Sequence, residues 1–444
     1  MSYSRVKDQV VFRPTGFADL AGKRVGLFGY GVEGRAAAAR LTNVAELVIV
    51  DEADGLGAEV LVASRGGLEA LLTCDVVLKS PGIPRRREDV VHLERHGVTV
   101  TSALNLWLHD VDRTRVVAVT GTKGKSTTTA LITFFLEALG LEAQRLGNIG
   151  QPPYDPSVDT STGWLVLEVS SFQAVDLDVA PGVIVVTSLG SDHVDWHGSL
   201  EQYRSDKLSL TRAAGPHDTL VADSATLRDV RDQIGGEVDY VAPETTGLAE
   251  ALGLIGAHND ANVALALGAV ATLTGVELAT LRDTIRSIAN TFTPLRGRLT
   301  LVATEELAGA QVRYVDDGLA TSVLPAVAAL EVFTDEPVAL IAGGFDRGVE
   351  YGELAEALVS RAQPTILITS GNAGLRISDE VRRRRQDLVQ HSADSMIEAV
   401  EIARAALEHG GVVLLSPAAP SFDRYRNWEE RSEDFTRVVR TLLS

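Results

Sequence analysis

Short apolar runs alternate with longer amphipathic stretches along most of the chain. Arg24–Phe28, Arg115–Thr120 and Val338–Ile341 have the length of strands, whereas Gly34–Leu41 and Lys125–Leu139 have the length of helices. Strands that are apolar on both faces belong to parallel sheets covered by helices, so this alternation predicts an α/β fold. Further strands are predicted at Leu47–Val50, Val76–Leu78, Val98–Thr101, Trp164–Val169, Val183–Thr187, Arg313–Val315, Thr365–Ile368 and Val412–Leu415, and a further helix at Ser322–Leu330.

Two polar interruptions divide this pattern. Asp110–Thr114 precedes a fresh strand, and Thr293–Arg298 brings Pro294 and Gly297 into a helical region. A chain of 444 residues is expected to form two or three domains. The predicted domains cover residues 1–112, 113–296 and 297–444.

Charge and cysteine content narrow the classes of function. The net charge of −19 argues against general nucleic-acid binding, because phosphate contacts need clustered lysines and arginines. Cys74 is the only cysteine, which excludes a disulfide within the chain and fits a reducing compartment. Residues Met1–Phe12 lack the apolar core of a signal peptide, and the apolar stretch Ala261–Leu281 is interrupted by polar residues. We expect a cytoplasmic protein that binds neither nucleic acid nor membrane.

A glycine-rich segment joins one predicted strand to the helix that follows it. Val116–Thr129 reads VVAVTGTKGKSTTT. In such a turn, backbone N–H groups surround phosphate oxygens, a lysine reaches the terminal phosphates and a hydroxyl ligates Mg²⁺. Gly121 and Gly124 are separated by two residues rather than the usual four, and a plain turn before a helix is the alternative interpretation. The residues predicted to bind ATP here are Gly121, Thr122, Lys123, Gly124, Lys125, Ser126 and Thr127.

The shorter form GTxGKST resembles the phosphate loop of the Mur ligases and of their relative folylpolyglutamate synthase. The resemblance extends over nearly the whole chain. It implies a Rossmann-like domain for a UDP-linked substrate, a central P-loop ATPase domain and a Rossmann-like C-terminal domain for an amino acid. It also implies ATP and Mg²⁺, with two metal ions expected.

Two segments after the loop extend this resemblance. Leu146–Gly150 reads LGNIG and resembles an element whose asparagine, here Asn148, contacts the UDP-sugar substrate. Leu165–Gln173 reads LVLEVSSFQ, and a glutamate that ends a strand beside a phosphate loop is well placed to hold Mg²⁺. The resemblance therefore makes Glu168 a metal ligand. The substrate contacts that it implies in the same segment are Ser170 and Gln173.

The segment Ser191–Gly198 reads SDHVDWHG and resembles the DHxDxHG signature of the family. It implies that His193 ligates a second Mg²⁺, whereas an isolated histidine is more often structural. Lys207 stands where the family carries a carbamylated lysine, which supplies a carboxylate-like group; a lone lysine is more often a solvated one. The implied metal ligands are Ser126, Glu168, His193 and Lys207, and the implied catalytic residues are Lys125, His193 and Lys207.

The ATP site is expected to include residues far along the chain. Gly256–Asn262 reads GAHNDAN and resembles GxHNxxN, whose asparagines reach the adenine side of ATP. Asn259 and Asn262 are three residues apart and therefore share a helix face. The same resemblance implies that Arg298 and Asp317 contact the nucleotide.

The last predicted domain resembles that of the glutamate-adding Mur ligases. Val412–Trp428 reads VVLLSPAAPSFDRYRNW, similar to their LSPACASxDxFxNF. Ser421 matches a serine that holds the side-chain carboxylate of glutamate, and Trp428 stands where phenylalanine is usual. Thr321 and Arg347 match the other contacts, with arginine where lysine is usual. Hydroxyl groups and a basic side chain suit an acidic amino acid.

The first predicted domain contains GYGVEG at Gly29–Gly34 after a strand, and Asp51 ends the next strand. Taken alone, this fingerprint indicates NAD. No second set of residues for hydride transfer is evident, which disfavours an oxidoreductase. By resemblance the turn binds the diphosphate of UDP, and the implied substrate contacts are Gly31, Asp51 and Ser80.

Departures from the family pattern bear on the substrate. Lys123 replaces an asparagine and Leu319 replaces a lysine. Arg347 and Trp428, described above, are two further replacements. This pattern resembles a divergent branch that adds L-glutamate. We predict a monomeric enzyme of peptidoglycan precursor synthesis that joins glutamate, with the L isomer slightly preferred, to UDP-N-acetylmuramoyl-L-alanine through an acyl phosphate. The alternatives are a D-glutamate ligase, a ligase like folylpolyglutamate synthase and a regulatory nucleotide-binding protein.

Overall fold

The computed structural model describes residues 2–6, 9–148, 150–190, 194–241 and 247–444, and for 2–6, 9–11 and 195 it describes the backbone only. The chain divides into two compact units. The first comprises Met1–Glu244 and Ala261–Ser287, and the second comprises Thr245–Asp260 and Ile288–Ser444. Each unit is described by itself below.

The elements are numbered in chain order. The strands are β1 (Ser2–Val6), β2 (Gln9–Arg13), β3 (Arg24–Phe28), β4 (Glu46–Asp51), β5 (Val60–Val62), β6 (Val76–Lys79), β7 (Thr99–Thr101), β8 (Val116–Thr120), β9 (Ala143–Gly147), β10 (Trp164–Glu168), β11 (Val183–Val186), β12 (Thr219–Ala222), β13 (Glu237–Tyr240), β14 (Thr300–Leu307), β15 (Ala310–Asp316), β16 (Val338–Gly343), β17 (Thr365–Ser370), β18 (Val389–Ser392) and β19 (Gly411–Leu415). The helices are α1 (Val32–Arg40), α2 (Leu68–Leu71), α3 (Glu88–Arg95), α4 (Ala103–Asp110), α5 (Lys125–Ala138), α6 (Ser171–Ala174), α7 (Val194–His197), α8 (Leu200–Lys207), α9 (Ser209–Arg212), α10 (Ser224–Leu227), α11 (Leu248–Ala251), α12 (His258–Thr274), α13 (Leu278–Ile288), α14 (Val323–Val332), α15 (Gly352–Val359), α16 (Gly371–Arg384), α17 (Met396–Ala406) and α18 (Trp428–Leu443).

The first large sheet has the order β5-β4-β3-β6-β7, and its strands are parallel. Phe28 pairs with Val50 on one side and with Lys79 on the other. The loops that follow these three strands therefore leave from the same edge of the sheet. This edge carries the glycine-rich turn after Phe28, together with Asp51 and Ser80.

The second large sheet has the order β13-β12-β11-β8-β10-β9 and is also parallel. Strand β8 lies in its interior, and all five of its residues are buried. Glu168, at the end of β10, pairs with Val119 of β8. The register thus places the end of β10 directly beside the loop that leaves β8.

The third sheet has the order β14-β15-β19-β16-β17-β18 and lies in the second unit. Its pairs are parallel except that of β14 with β15, which is antiparallel. Successive residues of β19 enter different hydrophobic clusters: Val412 and Leu414 pack into one, and Val413 and Leu415 into the other. Both faces of this strand are therefore covered, as its continuous apolar sequence predicts.

The predicted α/β class with parallel sheets is confirmed. Each predicted domain contains one of the three large sheets, whereas the bounds 1–112, 113–296 and 297–444 stay predictions. Sequence analysis did not predict the antiparallel pairs β1–β2 and β14–β15. Among the residues that the structure describes, no helix is both long and apolar enough to cross a bilayer.

Candidate active site

The glycine-rich segment forms a tight turn between β8 and α5. Gly121 has a φ of +141° and Gly124 a φ of +87°, values that residues with a side chain rarely adopt. A Cβ atom on Gly121 would lie 2.0 Å from Thr187 Oγ1, and one on Gly124 would lie 2.4 Å from Asn262 Oδ1. Both glycines are therefore required by conformation and by space, which disfavours an ordinary turn that happens to precede a helix.

Neighbouring segments fix the shape of this turn. Thr122 N–H donates to the Ser188 carbonyl at 2.9 Å, and Lys123 N–H donates to Ser188 Oγ at 2.9 Å. Lys125 Nζ lies over the loop and donates to the Gly121 carbonyl at 3.0 Å. Ser126 is buried in the first turn of α5. A fixed turn, a helix N-terminus and a lysine together fit the phosphates of a nucleotide.

A buried carboxylate lies at the end of the strand next to this loop. Glu168 is 1% exposed, and its Oε1 accepts a hydrogen bond from Asn148 Nδ2 at 2.8 Å. Its Oε2 is buried and has no hydrogen-bond partner among the residues that the structure describes. An unsatisfied buried carboxylate oxygen is costly unless a cation binds it, and carboxylate oxygen is a preferred ligand of Mg²⁺. Glu168 therefore fits the predicted role of metal ligand.

Helix α8 contacts the phosphate loop through two side chains. Lys207 is 2% exposed and donates from Nζ to the Gly121 carbonyl at 2.8 Å. The Tyr203 hydroxyl donates to Thr122 Oγ1 at 2.9 Å. Lys207 is thus not a solvated helix lysine. Tyr203 was missed by sequence analysis, because a tyrosine in a helix carries no motif of its own.

The predicted metal site is only partly within the described residues. His193 lies outside them, so its predicted role stays a prediction. Within the described ranges, no group of three histidine, cysteine, aspartate or glutamate side chains is placed to hold one ion. It is accordingly a proposal that the metal site is formed by Ser126, Glu168, His193 and Lys207. Its support is the burial of Ser126, Glu168 and Lys207 beside the loop.

The segment after β10 reaches the glycine-rich turn of the first sheet. Ser170 and Gln173 form a capping box at the start of α6. Gln173 Nε2 donates to Glu33 Oε1 at 2.7 Å, and the Tyr154 hydroxyl donates to Glu33 Oε2 at 3.0 Å. Burial raises the pKa of the Glu33 carboxyl group above its usual range. The structure thus brings the two predicted substrate-binding motifs, Gly29–Gly34 and the one after β10, into contact.

The predicted UDP contacts gather at one edge of the first sheet. Ser80 Oγ donates to the Gly29 carbonyl at 2.9 Å, and Asp51 Oδ2 accepts from Tyr30 N–H at 2.6 Å. Gly31 is the N-cap of α1. A Cβ atom on Gly34 would lie 2.1 Å from the Gly29 oxygen, so the turn and the helix pack without space for a side chain. The edge has the geometry of a diphosphate-binding turn.

The predicted adenine contacts are both buried. Asn262 Oδ1 lies 3.3 Å from Thr128 Oγ1 and close to the Gly124 turn. Asn259 Nδ2 donates to the Ile255 carbonyl at 2.7 Å. Asn262 therefore lies beside the phosphate loop, and the predicted adenine contacts of Asn259 and Asn262 stay predictions.

In the second unit, β15 ends at Asp316, and a second aspartate, Asp317, follows it. The Ser416 hydroxyl donates to Asp317 Oδ2 at 2.8 Å, and Leu299 N–H donates to Oδ1 at 3.3 Å. Burial raises the pKa of Asp317 to about 7. Asp316 accepts hydrogen bonds from Ser432 Oγ and from backbone N–H groups, so it shapes the turn. Arg298 precedes Leu299 at the surface of this unit.

The predicted glutamate contacts lie on three loops at one edge of the third sheet. Ser421 is buried, the Arg347 guanidinium lies 5.8 Å from the centre of the Phe422 ring, and Trp428 begins α18. Thr321 precedes α14, whose N-cap is Ser322. The structure therefore brings these four predicted residues to the same part of the second unit.

A buried arginine joins those loops. Arg431 of α18 donates to the carbonyls of Gly318 at 3.2 Å, Ala419 at 3.1 Å and Gly343 at 3.4 Å. Burial lowers its pKa to about 10, which leaves it charged at neutral pH. Sequence analysis missed Arg431, because an arginine in a charged helix is normally solvated.

A parallel sheet whose carboxyl edge carries a glycine-rich phosphate loop and a buried glutamate, with a buried lysine of α8 bonded to that loop, defines an α/β nucleotide-binding enzyme. A sequence model of the Mur ligase middle domain matches residues 119–238. The UDP-N-acetylmuramoyl-L-alanine–L-glutamate ligase of Micromonospora sp. is 37% identical and covers 95% of this chain and 98% of its own. The chain belongs to the Mur ligase family, as predicted, and is therefore an ATP-dependent enzyme that forms amide bonds.

Two further relatives are named for different isomers of glutamate. The UDP-N-acetylmuramoyl-L-alanine–L-glutamate ligase of Xanthomonas axonopodis pv. citri is 33% identical, over 95% of this chain and 96% of its own. The UDP-N-acetylmuramoylalanine–D-glutamate ligase of Symbiobacterium thermophilum is 34% identical, over 86% of this chain and 87% of its own.

Solved structures agree on the fold. UDP-N-acetylmuramate–alanine ligase MurC of Thermotoga maritima matches with a TM-score of 0.53 and 18% identity, over 94% of this chain and 99% of that one. MurF ligase of Thermotoga maritima, solved in complex with ADP, matches with a TM-score of 0.52 and 15% identity, over 96% of this chain and 97% of that one.

Proposed function

We propose that the chain joins L-glutamate to the alanine carboxyl group of UDP-N-acetylmuramoyl-L-alanine, with ATP as the source of energy, in peptidoglycan precursor synthesis. The observation that carries this proposal is the match to the L-glutamate ligases along nearly the full length of both chains. The relative named for D-glutamate matches a smaller share of the chain. We further propose that the enzyme acts as a cytoplasmic monomer.

The chemistry begins with activation of a carboxylate, which is a poor acyl donor because oxide is a poor leaving group. The alanine carboxylate attacks the terminal phosphorus of ATP, and ADP leaves. The glutamate amine then attacks the acyl carbon, and the tetrahedral adduct collapses to an amide with loss of phosphate and a proton. The first step moves negative charge onto the departing ADP, and the second builds it on the acyl oxygen and then on the departing phosphate, so a preorganised positive site accelerates both.

The phosphate loop and its neighbours supply that site. Lys125 Nζ, which lies over the turn, and the N-terminus of α5 would neutralise the phosphate oxygens of ATP. Ser126 and Glu168, with His193 and Lys207 in a carbamylated form that supplies carboxylate-like oxygens, would hold Mg²⁺, for which we propose two ions. Bound Mg²⁺ supplies electrostatic stabilisation of the transferred phosphoryl group.

The incoming amino acid is assigned to the edge of the third sheet. Arg347 supplies a charge that suits a carboxylate, and Thr321 and Ser421 supply hydroxyl groups. Trp428 lies at the start of α18, beside these loops. Glutamate, which carries two carboxylates, fits this set of side chains better than a neutral amino acid does.

The test is phosphate release by the purified protein with UDP-N-acetylmuramoyl-L-alanine, ATP and Mg²⁺, with L- or D-glutamate supplied separately. Release that depends on L-glutamate is expected. Release with D-glutamate alone would overturn the choice of isomer and favour the D-glutamate ligase that the Symbiobacterium relative suggests. Release with neither isomer, but with a folate and glutamate, would favour the alternative of a folylpolyglutamate synthase-like ligase.

A further inference from the structure

An arginine of the first sheet's loops makes a two-point ion pair with the helix that carries Lys207. Arg86 lies between β6 and α3. Its Nη1 donates to Asp206 Oδ2 at 2.8 Å, and its Nη2 donates to Asp206 Oδ1 at 2.5 Å. Asp206 is 1% exposed, whereas about half of the Arg86 side chain is exposed. A guanidinium that binds both oxygens of a carboxylate fixes its orientation as well as its position.

Asp206 also joins this pair to the segment after β10. The Asp206 carboxylate accepts from Gln202 Nε2 at 2.8 Å and lies 2.7 Å from His197 Nδ1. His197 Nε2 lies 3.0 Å from Ser171 Oγ. A histidine whose Nδ1–H donates to the carboxylate accepts the serine hydroxyl at Nε2. Ser171 directly follows Ser170, which is a predicted substrate contact.

The aromatic side chains nearby bring the same segments together. The Phe172 ring lies 4.5 Å from that of Trp196, measured between ring centres. Trp196 Nε1 donates to the Gly82 carbonyl at 3.1 Å. The loop after β6 is therefore held at two places, by Trp196 of α7 and by Asp206 of α8.

The other contacts of α8 reach the phosphate loop. Lys207 follows Asp206 in sequence and donates to the Gly121 carbonyl, while Tyr203 donates to Thr122. One short helix thus carries both the partner of Arg86 and two supports of the ATP-binding turn. Any shift of α8 that follows the loss of Arg86 changes the position of Lys207 at the phosphate loop.

We propose that Arg86 is a positioning residue for ligation, which acts through Asp206 to hold α8, and with it Lys207 and Tyr203, against the phosphate loop. Because Arg86 belongs to the same loop as Ser80, it also fixes the loop assigned to the UDP-linked substrate relative to the ATP site. This inference rests on the proposed function and adds to it a residue to which no substrate contact is assigned.

The chain offers a matched control for this proposal. Arg87 is the next residue and also carries a paired guanidinium, but its partners are Asp89 and Glu52, which belong to the first sheet's own region. Arg87→Gln removes the same charge from the same loop without touching α8. Arg86→Lys retains the charge and loses the two-point geometry.

The first measurement is the exchange of backbone amide hydrogens in the protein without ligands. Arg86→Gln is expected to increase exchange in α8 and at the start of α5, whereas Arg87→Gln is expected to leave both unchanged. Equal exchange in the wild type and in Arg86→Gln would overturn the proposal, as would a uniform increase throughout the first unit in both variants. This measurement needs no catalytic activity, so it tests the positioning role of Arg86 even if the proposed function fails.

The second measurement is turnover in the phosphate-release assay. Arg86→Gln is expected to lower kcat by about tenfold or more, because small displacements of positioned groups are costly to the rate. The KM for glutamate is expected to stay unchanged, and Arg86→Lys is expected to recover part of kcat. A wild type that is inactive with both isomers of glutamate would count against the proposed function and not against the positioning role. Active enzyme with equal kcat in the wild type and in Arg86→Gln would count against the positioning role alone.

A double substitution tests the route of the effect. If Arg86 acts through Asp206, then Arg86→Gln combined with Asp206→Asn is expected to have about the kcat of Asp206→Asn alone. Independent, multiplying losses of kcat would show that the two residues act separately, and would overturn the route through Asp206.

Discussion

Asn148 Nδ2 donates to Glu168 Oε1 at 2.8 Å, and within the described part of the chain this leaves Glu168 Oε2 buried beside the phosphate loop without a hydrogen-bond partner. Asn148 therefore orients the carboxylate so that one oxygen is kept for another ligand. The predicted contact of Asn148 with the UDP-sugar stays a prediction. Its observed contact shows that the asparagine of this motif also donates a hydrogen bond to the carboxylate at the end of β10.

The first prediction concerns this carboxylate. Glu168→Gln keeps the shape of the side chain and removes the charge that Mg²⁺ requires. We expect kcat to fall by roughly 100-fold or more, since the loss of one group that stabilises transferred charge commonly has this effect. Phosphate release measured over a series of Mg²⁺ concentrations checks it.

The control for this substitution is Glu46→Gln, which removes an exposed carboxylate paired with Arg24. It is expected to behave as the wild type. A Glu168→Gln enzyme with unchanged kcat and an unchanged requirement for Mg²⁺ would contradict the role of Glu168 as a metal ligand.

The second prediction concerns the Tyr203 hydroxyl, which donates to Thr122 Oγ1 inside the phosphate loop. Tyr203→Phe removes a buried hydrogen bond and leaves the ring, so about 1 kcal/mol of support for the loop is lost. We expect the KM for ATP to rise by roughly fivefold, with a smaller change in the KM for glutamate. Steady-state kinetics with each substrate varied in turn check this expectation.

Tyr240→Phe is the matched control, because Tyr240 is exposed on β13. An unchanged KM for ATP in Tyr203→Phe would show that the hydroxyl does not shape the nucleotide site.

These residues show what sequence analysis can and cannot predict. The phosphate loop was predictable because its glycines, lysine and hydroxyl groups are adjacent in the chain and their spacing reflects one local turn. Glu168 was predictable because a strand end has a fixed direction in a parallel sheet. Tyr203 acts across 81 positions of sequence, and no local pattern reports such a contact.

The same limit applies to the charged network between the first two sheets. Arg86 and Asp206 are 120 positions apart, and the buried pair Lys79 and Asp176 joins β6 to the segment after α6 at 2.7 Å. Each of these residues alone resembles an ordinary surface charge. Their burial follows from packing between elements, which the hydrophobic pattern of any one element does not contain.

The third prediction concerns Asp317, whose pKa is raised by burial to about 7. The folded protein therefore holds this proton more tightly than the unfolded chain does, where the pKa is 3.8. The stabilising contribution of the protonated group is fully present below pH 3.8 and is lost as the pH rises towards 7. From the size of this shift, the loss is at most roughly 4 kcal/mol.

Asp317→Asn keeps an acceptor for the Ser416 hydroxyl and cannot ionise. We expect the fall in melting temperature between pH 5 and pH 8 to be smaller in this variant than in the wild type, which differential scanning calorimetry measures. Asp335→Asn, at an exposed position, is the control. If the melting temperature depended on pH identically in the wild type and in Asp317→Asn, the raised pKa of Asp317 would be contradicted.

The fourth prediction concerns Arg431, which holds the carbonyl groups of Gly318, Gly343 and Ala419 from a buried position. Gly318 and Ala419 belong to the loops that carry Thr321 and Ser421, and Gly343 ends β16 just before the loop that carries Arg347. Arg431→Met fills much of the space and removes all three bonds, so the loops lose their common support and leave buried carbonyls unpaired. We expect the KM for glutamate to rise by about tenfold or more, with the KM for ATP changed far less.

Arg437→Met, on the exposed part of α18 where Arg437 pairs with Asp434, is the matched control and is expected to keep both KM values. Comparing the melting temperatures of the two variants separates a local effect on the loops from unfolding of the unit. If Arg431→Met raised the KM values for glutamate and ATP equally, the arginine would support the enzyme generally. A selective rise for glutamate would instead tie the edge of the third sheet to recognition of the amino acid, because Arg431 bonds to the carbonyls of Gly318, Gly343 and Ala419 at that edge.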